Sequence, residues 1–227
     1  MPDAAMVIEE EIKLSAPDRE SLSAVLDDVE VRDAAFSAVE SVPLLTTYYD
    51  TPTHVFLANR LAFRSRREGR VWRVGLKGHG EVVDGVSRRE EIEVRLDGPV
   101  RCFADLPEGP LREQVLALVG GPKTPMDPFI VSDIHRRRLK LRLAGEAVAE
   151  LALDVGEVRA GGLRQGILEV ELERISGPFE PVKRLAEGLA RRHRLVPSSR
   201  SKHGVGLCLL GLMESESATR SPGEEAL

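Results

Sequence analysis

The sequence predicts an α+β fold in which a single β-barrel carries helices on its outside. Three observations predict it: strand-like segments occur in both halves of the chain, helical patterns lie between them, and neither half has enough strands for a comfortable core of its own. Stretches rich in glycine and proline at 97–110 and 120–128 separate the two halves. A chain of 227 residues is long enough for one large barrel.

Seven segments alternate between apolar residues and mostly charged ones with a period of two. This is the spacing at which successive side chains of a strand point to opposite faces of a sheet. The segments are 7–14, 58–68, 70–77, 88–96, 130–143, 147–154 and 167–175. The sequence therefore predicts at least seven strands.

Four further segments carry apolar residues at the spacing of a helix. They are 17–28, about 32–40, 110–119 and 181–193. Either Ser15 or Asp18 is a suitable N-cap for the first of them. We expect these helices to cover the outside of the sheet.

Charges of both signs line a single face of the strands. In the first strand Glu9, Glu11 and Lys13 share a face, opposite Ile12 and Leu14. An ordinary antiparallel sheet also turns one polar face to water. Such a face would mix uncharged polar residues with its charges, and these are nearly absent here. The pattern therefore favours the charged interior of a closed barrel.

A charged interior of this kind predicts the chemistry of its ligand. Carboxylates are oxygen ligands for hard divalent cations, and Arg and Lys side chains bind phosphate. Proteins commonly hold Mg²⁺ with one or two carboxylates together with the phosphates of a substrate. The charge pattern therefore favours a polyphosphate bound together with a metal ion.

The composition argues against several other classes of protein. The net charge is -5, and the Arg residues alternate with carboxylates without aromatic residues between them, so we expect no nucleic-acid binding. Cys102 and Cys208 have no CxxC or Cys/His spacing, so neither a disulfide framework nor a zinc site is expected. Apolar runs are shorter than the roughly 18 residues of a membrane span, and residues 1–14 lack the pattern of a signal peptide. We therefore expect a cytoplasmic protein without a membrane partner.

A series of short motifs runs through the chain in a recognisable order. The motifs are EEEIK at 9–13, YYDTP at 48–52, LAFRSRR at 61–67, WRVGLK at 72–77, RREEIEV at 88–94, RRRLKLRL at 136–143, ELALDVGEV at 150–158, ILEVELE at 167–173 and PSSRSK at 197–202. The first contains the ExExK pattern, and the whole series resembles the CYTH superfamily, the triphosphate tunnel metalloenzymes. It is similar above all to the bacterial inorganic triphosphatases of that superfamily.

The resemblance implies an eight-stranded antiparallel β-barrel that forms a tunnel, with acidic and basic side chains directed inward. It implies a tunnel domain over residues 1–212. Residues 213–227 are rich in Glu and Ser with few apolar residues, and we expect them to form a disordered tail.

The resemblance also implies roles for individual side chains. It implies catalytic roles for Glu9, Glu11, Lys13, Glu91 and Asp154. It implies that the substrate phosphates are bound by Lys13, Arg64, Arg66, Lys77, Arg89, Arg138 and Lys202. It implies that Mg²⁺ or Mn²⁺ is held among Glu9, Glu11, Glu93, Asp154, Glu169 and Glu171.

Four details of this assignment stay open at the level of the sequence. Arg136 replaces Arg138 if the strand register shifts slightly, and Glu173 is expected near the mouth of the tunnel. Related sequences often have an Arg three residues after the SK motif, where this chain has Val205. Residues 48–51 combine two aromatic side chains with an Asp-Thr-Pro turn, which favours a structural role at a strand corner.

The leading hypothesis is metal-dependent hydrolysis of inorganic tripolyphosphate to pyrophosphate and phosphate. Nucleoside triphosphates and thiamine triphosphate are the alternative substrates. Two other functions stay open: an adenylyl cyclase of class IV type that makes cyclic AMP from ATP, and a polyphosphate-binding module without catalysis. A homodimer is also compatible with the sequence, which does not determine the oligomeric state.

Overall fold

Eight antiparallel strands close into a barrel, as the fold class predicted. In the computed structural model, residues 6–78 and 80–214 are described. The strands among them are β1 (Val7–Ser15), β2 (Glu40–Asp50), β3 (Leu61–Glu68), β4 (Val71–Gly78), β5 (Glu81–Val83), β6 (Val86–Leu96), β7 (Asp127–Arg142), β8 (Val148–Ala160), β9 (Leu163–Ser176) and β10 (Val196–Pro197). The barrel runs in the order β1-β9-β8-β7-β2-β3-β4-β6, and pairing of β6 with β1 closes it. The short strands β5 and β10 extend its rim.

The seven predicted strands are all present, and the eighth barrel strand, β2, is the one that the alternation did not predict. Its inward positions include Leu44, Thr46 and Tyr48, and its outward positions include Leu45 and Tyr49. Neither face carries a row of charges, so the two faces look alike in sequence. Pairing with β3 and β7 on either side defines this strand.

The helices agree with the sequence in two segments and differ in two. They are α1 (Arg19–Ala24), α2 (Val29–Ala34), α3 (Val55–Ala58), α4 (Pro110–Val119), α5 (Glu180–His193) and α6 (Lys202–Leu209). The first predicted helix is confirmed in part, because its last turn, Val25–Asp27, is a 3₁₀ turn, and Asp18 is its N-cap. The prediction of a helix over about 32–40 is wrong: α2 ends at Ala34, and the chain then leads into β2.

Two apolar clusters lie on the outside of the barrel. Leu14, Leu151 and Leu172 pack against α1 and α5, while Phe63, Val74 and Ile92 pack against α4. These strand residues are buried because helices cover them, whereas their neighbours along each strand point inward. The alternation of the sequence therefore separates an apolar outer layer from a charged interior.

The last helix, α6, closes one end of the barrel. Its Val205 and Leu207 pack against Ile130, Val158 and Ile167, which are inward residues near that end. The approach is close, since a Cβ at Gly206 would lie 2.4 Å from Ile130 Cγ2. Val205 therefore belongs to an apolar plug, and the arginine expected from related sequences has no counterpart there.

Two further expectations concern the C-terminal tail and membrane-spanning segments. Of the predicted tail, only Met213 and Glu214 lie within the described residues. None of the helices in the described part of the chain is long and apolar enough to cross a membrane.

A buried carboxylate clamps α2 to the end of α5. Asp28 is the N-cap of α2 and accepts a hydrogen bond from the Glu30 backbone N–H at 3.0 Å. It also accepts two hydrogen bonds from the Arg192 guanidinium, at 2.7 and 3.1 Å, and lies 2.8 Å from His193 Nε2. Burial disfavours the ionised form, but these partners outweigh it and lower the pKa of Asp28 to about 2.

We expect Asp28→Asn to lower the free energy of unfolding by about 1.5–3 kcal/mol at neutral pH, since it weakens several charge-assisted hydrogen bonds at once. The pKa of Asp28 is lowered by folding, so its contribution is present above the unfolded value near ~4 and is lost as the pH falls toward ~2. Urea unfolding at a series of pH values measures both effects. Glu30→Gln is the control, because the exposed Glu30–Arg192 pair is worth at most ~1 kcal/mol. Equal losses in the two variants would contradict the clamp.

Candidate active site

The barrel encloses a cavity of about 940 Å³ whose wall carries most of the residues that the resemblance implicates. Those that line it are Glu9, Glu11, Lys13, Arg64, Arg66, Lys77, Arg89, Glu91, Glu93, Arg138, Glu171 and Lys202. Asp154 and Glu169 also face inward, on β8 and β9, but are buried. The alternation of the strands therefore brings nearly the whole predicted set to one space.

The two carboxylates of the ExExK motif are held by cations from three different strands. Glu9 lies 2.6 Å from Lys77 Nζ, and Glu11 lies 3.1 Å from the Arg89 guanidinium and 3.4 Å from Lys13 Nζ. The register between β1 and β6 places Glu9 directly opposite Arg89. This part of the wall therefore alternates in sign between neighbouring strands.

Glu91 is the centre of a second group of charges, on the wall formed by β3, β4 and β6. It lies 2.5 Å from Arg64 and 3.3 Å from Lys77, while Arg64 also reaches Glu93 at 3.1 Å. Burial raises the pKa of the Glu91 carboxyl, but Arg64 and Lys77 outweigh burial and lower it to about 2. Glu91 is therefore ionised throughout the physiological range.

A third group lies toward α6 and contains three carboxylates. The oxygens of Asp154, Glu169 and Glu171 lie within 4.8 Å of one another. Arg136 binds Asp154 through two hydrogen bonds of 2.7 Å and also contacts Glu171. Lys202, from the start of α6, contacts all three carboxylates.

Both arginines between which the sequence left a choice point into the barrel, at different depths. Arg136 is deep and bound to Asp154, whereas Arg138 lies at the mouth, 2.8 Å from Glu68 and 3.0 Å from Glu40. Residues two apart on one strand face the same side, so no register shift is needed to place Arg136 inside. The two side chains have different partners.

Two carboxylates in the interior lack a balancing cation. Glu150 and Glu173 are opposite each other across β8 and β9, and Glu11 faces Glu173 from β1. Neither Glu150 nor Glu173 has an ion pair within 4.0 Å among residues 6–78 and 80–214. Burial, and then the charge of Glu9, raise the pKa of Glu173 to about 8, and burial also raises the pKa of Glu150. Near neutral pH Glu173 is therefore largely protonated, and a cation bound beside it would favour its ionised form.

Arg66 shows the opposite imbalance. Its side chain lines the cavity, opposite Thr46 on β2 and Arg73 on β4. No carboxylate pairs with it within the described part of the chain, and its buried Nε has no hydrogen-bond partner. A guanidinium with unused donors beside a second guanidinium is a site that an anion would stabilise.

Some residues of the cavity wall were missed by the sequence analysis. Glu68 pairs with Arg138 and with Arg73 at 3.2 Å, and Arg73 pairs with Glu93 at 3.3 Å. The two-residue alternation could have indicated both, since Glu68 follows Arg64 and Arg66 on one face. The apolar end of the cavity includes Tyr48 and His203, whose rings lie 5.0 Å apart, and their proximity depends on α6.

The Asp-Thr-Pro turn has the structural contacts that the sequence favoured. The buried Asp50 carboxylate accepts hydrogen bonds from the backbone N–H groups of Thr51, Phe56 and Leu57, at 2.8 to 3.0 Å. It therefore fixes the corner between β2 and α3 rather than pointing into the cavity.

Comparisons with known proteins agree with this architecture. The sequence matches the CYTH domain family over residues 8–203. An inorganic triphosphatase from Haemophilus influenzae is 28% identical over 181 residues, which cover 78% of this chain and 49% of that protein. The chain thus spans about half the length of this curated relative.

Solved structures of similar fold come from several organisms. A candidate adenylyl cyclase from Hippeastrum, described as having a dominant triphosphatase activity, has a TM-score of 0.65 at 20% identity and covers 91% of this chain and 97% of its own. A candidate adenylate cyclase from Bacillus halodurans has a TM-score of 0.56 at 15% identity and covers 86% and 95%. At these identities the likeness is one of fold.

Arg66 and Arg67 provide a matched test of the inward face. We expect Arg66→Ala to weaken the binding of tripolyphosphate about 10- to 100-fold, because hydrogen bonds to charged groups are worth ~1.5–3 kcal/mol. Arg67 is exposed on the outer face, so Arg67→Ala should bind like the parent protein. Calorimetric titration measures both. Equal weakening in the two variants would contradict the assigned strand register.

Proposed function

Because the chain belongs to the CYTH domain family, we propose that it is a metal-dependent triphosphatase whose substrate is inorganic tripolyphosphate, bound inside the barrel. The uneven charge of the cavity wall supports the proposal most directly. Among residues 6–78 and 80–214, Glu150 and Glu173 have no cation within 4.0 Å, and Arg66 has no carboxylate partner. A metal ion would favour the ionised forms of the two carboxyl groups, and a polyphosphate would pair with Arg66.

The cationic part of the wall suits a chain of phosphates. Arg66 has free donors, and Arg64, Lys77 and Arg89 surround the same cavity from β3, β4 and β6. These three are already paired with carboxylates, so their donors are fixed in position before a ligand arrives. Preorganised cations of this kind stabilise the charge that spreads over phosphoryl oxygens during transfer.

The acidic part of the wall fits a divalent cation. Glu9, Glu11 and Glu173 lie on adjacent strands, β1 and β9, and Glu150 lies beside them on β8. Their carboxylate oxygens are the hard ligands that Mg²⁺ and Mn²⁺ bind. We propose that Glu9, Glu11 and Glu173 hold the ion. When bound, it would offset negative charge on the phosphates.

The chain's own residues would then orient the reacting groups. Lys77 and Arg64 keep Glu91 ionised, so that its carboxylate can accept a hydrogen bond from an attacking water. Asp154 is fully buried on the inward face of β8, bound to Arg136, and acts by holding this cation in place. A water aligned with the terminal phosphorus needs no covalent intermediate on the protein.

The apolar end of the cavity favours one second candidate. Tyr48, Leu57 and Met213 line it on the α6 side, and apolar surface of this kind suits the organic part of a nucleoside triphosphate. The cyclase activity would place a ribose there, with pyrophosphate leaving from the charged part.

One assay distinguishes these functions. The purified protein is incubated with tripolyphosphate, ATP or thiamine triphosphate, each with and without Mg²⁺ or Mn²⁺, while phosphate and cyclic AMP are measured together. We expect metal-dependent phosphate release, fastest with tripolyphosphate. Cyclic AMP from ATP without phosphate release would identify a cyclase, and binding without either product would identify a binding module.

We expect Glu11→Gln to lower the rate of phosphate release at least ~100-fold, because Gln keeps the size of the side chain but removes an anionic ligand. Glu10→Gln is the control, since Glu10 points away from the cavity and is buried beneath Arg88 and Arg174 on the outside of the barrel. The comparison is made at saturating Mg²⁺. Normal turnover by Glu11→Gln would remove this residue from the proposed site.

Thermal melts test whether the ligands bind in the enclosed space. We expect metal and a slowly hydrolysed tripolyphosphate analogue together to raise the melting temperature more than either alone, since the metal ion would pair with the carboxylates and the anion with Arg66. A ligand at ~100 times its dissociation constant adds about 2.7 kcal/mol by mass action. No response to the combination, at concentrations that support phosphate release, would contradict binding inside the barrel.

A further inference from the structure

Three arginines lie opposite one another on neighbouring strands, at the end of the barrel away from α6. The register pairs Arg66 on β3 with Arg73 on β4, and Arg73 with Arg95 on β6. Arg95 is on the same inward face of β6 as Glu93, because Ile92 packs on the outside of the barrel. Like charges directly opposite each other destabilise a sheet. A row of three is therefore better explained by a ligand than by the stability of the empty barrel.

The neighbouring carboxylates balance this row only in part. Glu68 and Glu93 lie 3.2 and 3.3 Å from the Arg73 guanidinium. Each of them is shared with another arginine of the wall, at 2.8 and 3.1 Å. Neither Arg66 nor Arg95 forms an ion pair within 4.0 Å in the part of the chain that the structure describes. The row therefore keeps an excess of positive charge.

The row also has unused hydrogen-bond donors. The Nε atoms of Arg66 and Arg73 are buried, and neither donates a hydrogen bond to any of the described residues. The Nε of Arg73 is within ion-pair distance of Glu68 but is not aligned with its carboxylate. Buried guanidinium donors of this kind suit the oxygens of a phosphate.

The position of the row leads from the interior to the surface. Arg66 and Arg73 line the cavity, whereas Arg95 is exposed and lies outside its lining. Strands tilt in a barrel, so a row that crosses them also advances along the barrel axis. Two strand spacings, roughly 9.5 Å, separate Arg66 from Arg95. Phosphates that follow the ones bound in the interior could therefore continue along this row.

We propose that Arg73 and Arg95, continuing from Arg66, form a further anion subsite that binds the phosphates of a linear polyphosphate beyond the third. The inference rests on the proposed function, because it assumes that three phosphates occupy the interior with Arg66 at their outer end. Every unit of such a chain carries negative charge and oxygen acceptors, which match a row of guanidiniums. RNA fits less well, since nucleosides separate its phosphates and the three-residue row offers no aromatic ring for a base.

The test compares the affinities of the full chain for tripolyphosphate and for a longer linear polyphosphate of defined length. Calorimetric titrations are run in EDTA, and again in Mg²⁺ with slowly hydrolysed analogues of both chains. We expect the parent to bind the longer chain at least ~10-fold more tightly, since the subsite adds hydrogen bonds between charged groups. The double variant Arg73→Met/Arg95→Met should reduce this ratio at least about fivefold.

A matched control removes the same number of charges from the outer face. Arg67 and Arg137 are exposed and point outward from β3 and β7, so Arg67→Met/Arg137→Met should keep the parental ratio. If Arg73→Met/Arg95→Met does not fold, Arg95→Met replaces it, because Arg95 has no ion pair to lose. This single variant should reduce the ratio at least about twofold and should not lower the melting temperature without ligand.

The possible outcomes separate this inference from the proposed function. If the parent binds tripolyphosphate but binds the longer chain no more tightly, the subsite is overturned and the proposed function stands. An unchanged ratio in the folded variants would overturn the subsite in the same way. Tighter binding of a short single-stranded RNA than of the longer polyphosphate would also overturn it. A parent that binds neither chain under either condition would contradict the proposed function itself.

Discussion

Enclosing many charged side chains in one space is the constraint on which the rest of this structure depends. Removing an ion from water costs several kcal/mol even after relaxation, and a buried charge persists only with a partner of opposite sign or a ligand. The barrel meets this requirement by placing acidic residues opposite basic ones on neighbouring strands, as in Glu9 with Arg89 and Lys77 with Glu91. The register in which the strands pair therefore also determines which charges lie next to one another. The alternation fails at Arg66 and at Glu150 and Glu173. At these positions an ion bound from solution would supply the missing partner.

The sequence predicted the parts of the fold in which charge follows the two-residue period. Residues such as Arg64 and Glu91 could be assigned to the interior because each adjoins an apolar residue that faces outward, Phe63 and Ile92 respectively. Strand β2 escaped detection since its inward Leu44 and Thr46 do not contrast with its outward face. Pairings such as Arg136 with Asp154 depend on the register between β7 and β8, which one strand's pattern does not determine. The position of Lys202 depends on a helix that carries no strong amphipathic signal.

The helix α6 makes the two ends of the tunnel chemically different. At its end the inward residues are apolar, and Val205 and Leu207 pack among them. At the opposite end the wall carries Glu68, Arg73 and Arg138. The unpaired groups that support the proposed function lie away from the plug, where the strand registers place Glu173 beside Glu150 and Arg66 beside Arg73. In a barrel with charged residues at both ends, the two ends would not differ in their affinity for the phosphates of a substrate and for an organic group attached to them.

The closure of the barrel through β1 bears on how the chain acquires its fold. Strand β1 pairs with β6 on one side and β9 on the other, so its second neighbour is synthesised some 150 residues later. At roughly 5–20 residues per second, the nascent strand would wait on the order of 10–30 s for that partner. An unpaired strand edge is a template for aggregation, and charged side chains on it oppose that association. The negative charges of Glu9, Glu10 and Glu11 would thus oppose aggregation between nascent chains on the same mRNA. This protection would act before the protein binds any ligand.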